Sequence, residues 1–186
     1  GRERRRCLVL LRAVFDAGHS LAERKCPIDG VKVTKCINCP TCSIMNGFGG
    51  AGAFSDGKYN ITNEFGGTLY EYIGKEKALE LMHYVDAINV SHGGQETHLF
   101  STADSALKAE CLRNNLHLLD ASVRHLGTDI NYVVLQNIYD ELSKKVDFYF
   151  KTPVRKIDRL QVGYRVITNT EAVTCRNCIV SVGRSG

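Results

Sequence analysis

Three groups of residues have the types and spacing to do chemistry. The first is the run Gly47-Phe48-Gly49-Gly50-Ala51-Gly52-Ala53-Phe54-Ser55-Asp56-Gly57-Lys58. Gly47, Gly49 and Gly52 satisfy G-x-G-x-x-G, a spacing that brings backbone close to a pyrophosphate between a strand and a helix. Here a Cys-rich stretch precedes the glycines, and Ser55-Asp56-Gly57, a poor helix start, follows them. The ordinary dinucleotide fingerprint is therefore rejected. Two readings remain: a glycine-rich backbone open to a flat or phosphorylated ligand, or a flexible surface loop on which Phe48 and Phe54 would be out of place.

The second group is Cys36-x2-Cys39-x2-Cys42, with Cys26 upstream and Pro40 after the middle cysteine. Three thiolates at this spacing can converge on one centre, with Cys26 as a fourth ligand. Four sulfurs suit tetrahedral zinc or an iron–sulfur cluster. The competing reading is a set of buried or redox-active thiols without metal. Cys175-x2-Cys178 is weaker, because Cys178 leads into an apolar run and can serve as a small hydrophobe.

The third group is Arg124-His125-Leu126-Gly127-Thr128-Asp129-Ile130-Asn131. It stands at a helix start, where free amides suit an anionic or carbonyl group. His125 could move a proton near neutral pH; the plainer reading is a capped helix with a surface histidine. His19, His83, His92, His98 and His117 show no ligand spacing and are read as structural.

The elements that must position these groups follow from periodicity. Residues 7–16 read as a buried strand ending in Asp16, and residues 26–67 as a long stretch without periodicity, a kind that is usually functional. Ala78, Leu81, Met82, Val85 and Ile88 predict a helix from Lys75, closed by Gly93-Gly94. A short helix is expected over 104–113 and a strand over 116–121. Thr128 or Asp129 is expected to cap a strong helix whose face is Ile130, Val133, Val134, Ile138, Glu141 and Leu142. Further strands are expected around Val146 to Phe150, Val162 to Thr168 and Cys178 to Val182. The alternation implies an α/β or mixed α+β fold.

Composition narrows the function classes. The chain has 186 residues, 44% hydrophobic and 24% charged, with 8 Cys and no Trp. Wholesale disorder does not fit those values. Four of the 24 basic residues and one of the 20 acidic ones fall in residues 1–6, so the net charge of +4 leaves only +1 beyond them. A terminal patch of Arg2, Arg4, Arg5 and Arg6 is not the stripe a nucleic-acid surface needs. The longest aliphatic run is Leu8 to Leu11, too short for a membrane helix. Arg12 interrupts that stretch and no A-x-A site follows, which argues against a secretory leader. Clustered cysteines fit a reducing compartment, so a cytoplasmic location is expected.

These pieces also occur in a familiar order. Glu23-Arg24-Lys25-Cys26-Pro27-Ile28, the C-x2-C-x2-C run, GFGGAGAFSDGKYN, FGGTLYEYIG at 65–74, HYVDAINV at 83–90, RHLGTDIN at 124–131 and VGRSG at 182–186 closely resemble uncharacterised bacterial FAD-dependent dehydrogenases. These are relatives of the flavoproteins with two dinucleotide-binding domains. The resemblance runs from about residue 14 onward.

The resemblance implies a partial FAD/NAD(P)-binding Rossmann-like domain with part of an inserted substrate domain. The expected division is 1–67 (FAD-binding), 68–170 (inserted, α+β) and 171–186 (return strand). It implies that Asp16 holds the adenosine ribose and that Arg24 follows that strand. Gly47, Gly49, Gly50, Gly52, Ser55, Asp56 and Lys58 would lie along the flavin and its pyrophosphate. Gly183 and Arg184 would return to the cofactor, and His125, Thr128 and Asp129 would face the reaction. His125, Lys58 and Asp129 are thus the catalytic candidates, with FAD as cofactor, NAD(P)H as a possible reductant and a small molecule as substrate. No nucleic-acid or membrane partner is expected. Relatives carry a G-x-G-x-x-G before the position of Gly1 and continue past Gly186. The chain is accordingly expected to be truncated at both ends and to bind FAD weakly by itself. The alternatives are a Cys-rich zinc or iron–sulfur module, with Cys26, Cys36, Cys39 and Cys42 as ligands, or an inactive gene fragment.

Overall fold

The computed structural model describes residues 12–103 and 105–183. Arg2 to Arg6, Cys7, the run Leu8 to Leu11 and Arg184 lie outside the described residues. In chain order the strands are β1 (Ala13–Phe15), β2 (Lys58–Ile61), β3 (Leu99–Ser101), β4 (Ser122–His125), β5 (Asp147–Tyr149), β6 (Val154–Arg159), β7 (Tyr164–Thr168) and β8 (Ala172–Cys175). The helices are α1 (Leu69–Ile73), α2 (Lys75–Asn89), α3 (Leu107–Arg113) and α4 (Gly127–Leu142). The fold is mixed α/β. Two compact units divide it: residues 1–50 with 142–186, and residues 51–141.

In the first unit, β1 pairs in parallel with β5, Val14 opposite Phe148. Rings seal this pair. Phe15 stacks on Tyr149 at 5.1 Å between centroids, and Phe48 meets Phe148 edge-on at 5.7 Å. Phe48 is therefore an anchor that ties the glycine-rich segment to β5, and this explains an aromatic residue among glycines. β6, β7 and β8 form an antiparallel sheet with β7 in the middle. Buried Thr168 closes the β7–β8 hairpin, its hydroxyl oxygen accepting from the Thr170 and Glu171 amides.

The turn after β1 is held by close backbone approach. Gly47 has φ 109°, bridges to His19 in parallel, and its neighbour Phe48 donates its amide to the His19 carbonyl at 3.1 Å. A Cβ on Gly47 would sit 2.5 Å from the His19 carbonyl oxygen, and one on Gly18 would run into the Gly47 backbone. Gly47→Ala is expected to cost about 1–3 kcal/mol, because a left-handed backbone and a backbone clash coincide. Urea denaturation followed by circular dichroism measures the loss; an unchanged midpoint would refute it.

In the second unit, β4 is the central strand, flanked by β2 and β3 in an antiparallel sheet. α2 and α4 form where periodicity predicts helices, but their inward faces are rotated. α2 buries Ala78, Asp86 and Asn89, while Leu81 and Val85 are 44% and 42% exposed. α4 buries Asn131 and Val134 completely, while Val133 is 49% exposed. Asp86 and Asn131, with hydrogen-bond partners inside the unit, take inward positions, and hydrophobicity counts cannot anticipate that. α4 also begins at Gly127, so Thr128 and Asp129 lie exposed in its first turn and are not its cap.

Other expectations need correction. Residues 116–121 form no strand; Leu116 and Leu119 are exposed, and the strand is β4, one step later. Residues 178–182 form no strand either, and Ile179 is 92% exposed. The preceding segment, β8, takes the place beside β7. β2, β3 and β6 are short strands that periodicity does not reveal. The strand expected over 7–16 is present at Ala13–Phe15 among the described residues, but it is not buried: Ala13 and Val14 are exposed and Phe15 is half-buried, since its one neighbour is β5.

Candidate functional site

Each unit brings part of the predicted set together. In the residue 51–141 unit, β2 sets Lys58 opposite His125 on β4, so both side chains project from one sheet face. Asp56, at the turn before β2, accepts from the Lys58 ammonium at 2.7 Å, with both side chains about half exposed. The Lys58 hydrogen bond is the main reason the Asp56 carboxyl lies below its ordinary range, and the charge of Lys58 and of nearby His125 adds to it. An exposed pair of this kind adds little stability. Its consequence is a local arrangement of carboxylate, ammonium and imidazole.

The segment ahead of this cluster is pinned from below. Ser55 donates its hydroxyl hydrogen to the Gly52 carbonyl at 2.9 Å, and the Gly57 amide donates to the same hydroxyl oxygen at 3.2 Å. Gly57, with φ 65°, is buried, and a Cβ there would press on Asn131, Gly127 and Leu126 at 3.0 Å. Only glycine lets β2 start this close to α4. Fully buried Asn131 donates to the Gly52 carbonyl at 2.9 Å and accepts from the Tyr59 hydroxyl at 2.8 Å. Burial raises the Tyr59 hydroxyl above its ordinary value. Space is open where a Cβ on Gly52 would stand. Asp129 and Thr128 are exposed in the first turn of α4.

A buried ion pair fixes β4 from its other side. Arg124 donates to both carboxylate oxygens of Asp86, at 2.6 and 2.9 Å, and to the Thr97 carbonyl at 2.7 Å. The hydrogen bond to Asp86 raises the Arg124 guanidinium further above its usual value. Because His125 is the next residue, this pair sets the strand that carries it.

In the unit formed by residues 1–50 and 142–186, Asp16 directly follows β1. Its carboxylate accepts from the Gly18 amide at 2.7 Å, so this side chain closes the turn. Arg24 is buried, and its guanidinium donates to the carbonyls of Ser43 at 2.9 Å, Ile44 at 2.8 Å and Phe48 at 2.6 Å. Arg24 thus clamps the chain between the cysteines and the glycines. Gly49 and Gly50 have φ 81° and 56°. Gly183 is exposed and lies in no strand. Cys26, Cys36, Cys39 and Cys42 line one cavity of about 240 Å³, walled by Pro27, Ile28, Ile37 and Ile44. All four are free thiols. Among the described residues no three His, Cys, Asp or Glu side chains converge as a site for a single metal ion.

Sequence reasoning missed Asn131, Tyr59 and the Asp86–Arg124 pair. Asn131 and Arg124 stand within the RHLGTDIN stretch, but their role depends on partners dozens of residues away. No helix among the described residues is long and apolar enough to cross a membrane. No protein-family model matches this chain, and no curated protein or solved structure is significantly similar to it.

Proposed function

We propose that this chain is part of an FAD-dependent oxidoreductase that moves hydride between a small-molecule substrate and flavin. The observation that carries the reading is the grouping of Asp56, Lys58 and His125 beside a glycine-rich turn held by Asn131. The residues present fit the cofactor: Gly52 leaves backbone open to a flat ring, and a cation and a proton donor stand on the neighbouring sheet face. The flavin would supply the two-electron chemistry, and the protein its position and electrostatics.

The residue roles follow from their types. The Lys58 ammonium stabilises negative charge gained on reduction, and Asp56 orients it. His125 exchanges a proton with the substrate, since an imidazole carries both a donor and an acceptor nitrogen. Asp129, in the first turn of α4, orients the substrate. The Rossmann-like character of the first unit, NAD(P)H as reductant and a cytoplasmic setting belong to the same proposal.

The test is made on the full protein containing these residues. It is expected to purify with FAD. Lys58→Ala should lower the flavin reduction potential by about 30 mV, a tenfold change for a two-electron couple. His125→Ala should slow substrate-dependent flavin reduction by about 10²-fold or more while leaving the potential near its original value. Protein free of flavin, or a potential insensitive to Lys58→Ala, would overturn the reading.

A further inference from the structure

The thiol-lined cavity of the first unit is a separate feature that hydride transfer at Lys58 and His125 does not use. We propose that Cys26, Cys36, Cys39 and Cys42 are the four thiolate ligands of an iron–sulfur cluster. The proposal goes beyond the flavin reading and does not depend on it.

Four observations point to a cluster. First, Cys26 is ten residues from Cys36, yet it lines the same cavity as the three closely spaced cysteines. A fourth thiol brought back across such a gap is the requirement for a closed set of four thiolate ligands. Second, the four cysteines share a cavity of about 240 Å³, and among the described residues no three candidate ligands converge as a site for a single metal ion. Tetrahedral zinc needs four sulfurs at about 2.3 Å from a single ion. A polynuclear iron–sulfide core spreads its thiolates apart and fills the space between them. Third, the walls are apolar, with Ile28, Ile37 and Ile44 around the thiols. Ile28 and Ile37 are themselves 42% and 59% exposed, so the cavity opens to solvent on that side, and solvent exposure is one of the levers on a cluster's potential. Fourth, Asn38 takes a left-handed conformation, φ 52°, and its amide donates to the Cys36 sulfur at 3.5 Å. Backbone N–H groups aimed at ligand sulfur stabilise thiolate charge.

The surrounding chain holds this arrangement. Between Cys26 and Cys36, Asp29 accepts from the amides of Val31, Lys32 and Val33 at 2.7–2.9 Å, which folds the connecting loop back. After Cys42, Arg24 grips the Ser43 and Ile44 carbonyls. Lys25, Lys32 and Lys35 lie in the same segment and are exposed, a charge sign that suits an anionic thiolate-bound core. Uptake of a preformed cluster is ligand exchange. Four Fe–S bonds to the donor's thiolates break and four to the cysteines form. The cysteine protons pass to the departing thiolates, and no electrons are gained or lost.

The experiment uses the full protein purified under anaerobic conditions. It is expected to contain iron and acid-labile sulfide in equal amounts, and an electron paramagnetic resonance signal should appear on reduction with dithionite. Chemical counting of iron and sulfide is independent of flavin content, so the two proposals fail separately. Cys26→Ser and Cys39→Ser are expected to lose the iron, whereas Cys175→Ser, outside the cavity, keeps it. Circular dichroism checks that the serine variants fold; should they not, the wild-type counts decide. Zinc in place of iron, absence of sulfide, or four thiols that all react freely with a maleimide in the anaerobic protein would each overturn the assignment.

Discussion

Asp86→Ala is expected to destabilise the residue 51–141 unit by about 3–5 kcal/mol, the usual cost of removing one partner from a buried ion pair. The carboxylate takes two hydrogen bonds from Arg124, and both side chains are about 10% exposed. Removing it strands a guanidinium that cannot shed its charge. The remaining bond to the Thr97 carbonyl does not neutralise that charge. The companion double variant Asp86→Leu with Arg124→Met is expected to recover most of the loss, since apolar replacements leave no buried charge to compensate. Urea denaturation is the measurement, with tyrosine fluorescence as a convenient signal in a chain that lacks tryptophan. A single-variant loss below about 1 kcal/mol, the range of exposed pairs, would show that the pair is solvated in solution. Because β4 carries His125 as the next residue, the same variant should also slow any chemistry that needs His125.

Arg24→Ala should cost the first unit about 3 kcal/mol. Hydrogen bonds from a charged donor are each worth about 1.5–3 kcal/mol, and losing three at one site is less than additive. The Ser43, Ile44 and Phe48 carbonyls all lose the same donor group. Arg24→Lys is expected to restore less than half, because an ammonium cannot serve three carbonyls with the fixed fork of a guanidinium. Amide hydrogen exchange provides a local readout: protection over residues 43–50 should fall in Arg24→Ala while that of β6 to β8 changes less. Equal protection in both variants and the wild type would refute the clamp. The same side chain holds the backbone just after Cys42 and just before Gly49, so its loss should loosen the thiol cavity and the start of the glycine run together.

Much of this was legible in the sequence, and the division has a physical basis. α2 and α4 were readable because helical periodicity repeats within a few residues and depends on local backbone geometry. The mixed α/β class follows from the alternation of such segments. The chemistry-bearing residue types were readable too: glycines at Gly47 to Gly57, clustered thiols, and Lys58 and His125 as a cation and a proton carrier. Tertiary structure decided the pairings. Asp86 meets Arg124 across 38 residues and Tyr59 meets Asn131 across 72, and these bonds turn polar faces of α2 and α4 inward. Periodicity counts apolar residues and cannot see that a polar side chain is satisfied by a distant partner. The short strands escaped for a related reason. A three-residue strand such as β3 is defined by the neighbour it hydrogen-bonds, not by its own composition. Composition and spacing determined which chemistry-bearing residues this protein carries. Long-range hydrogen bonds and chain packing decided where they stand: His125 beside Lys58, and Cys26 in the cavity of the other three thiols.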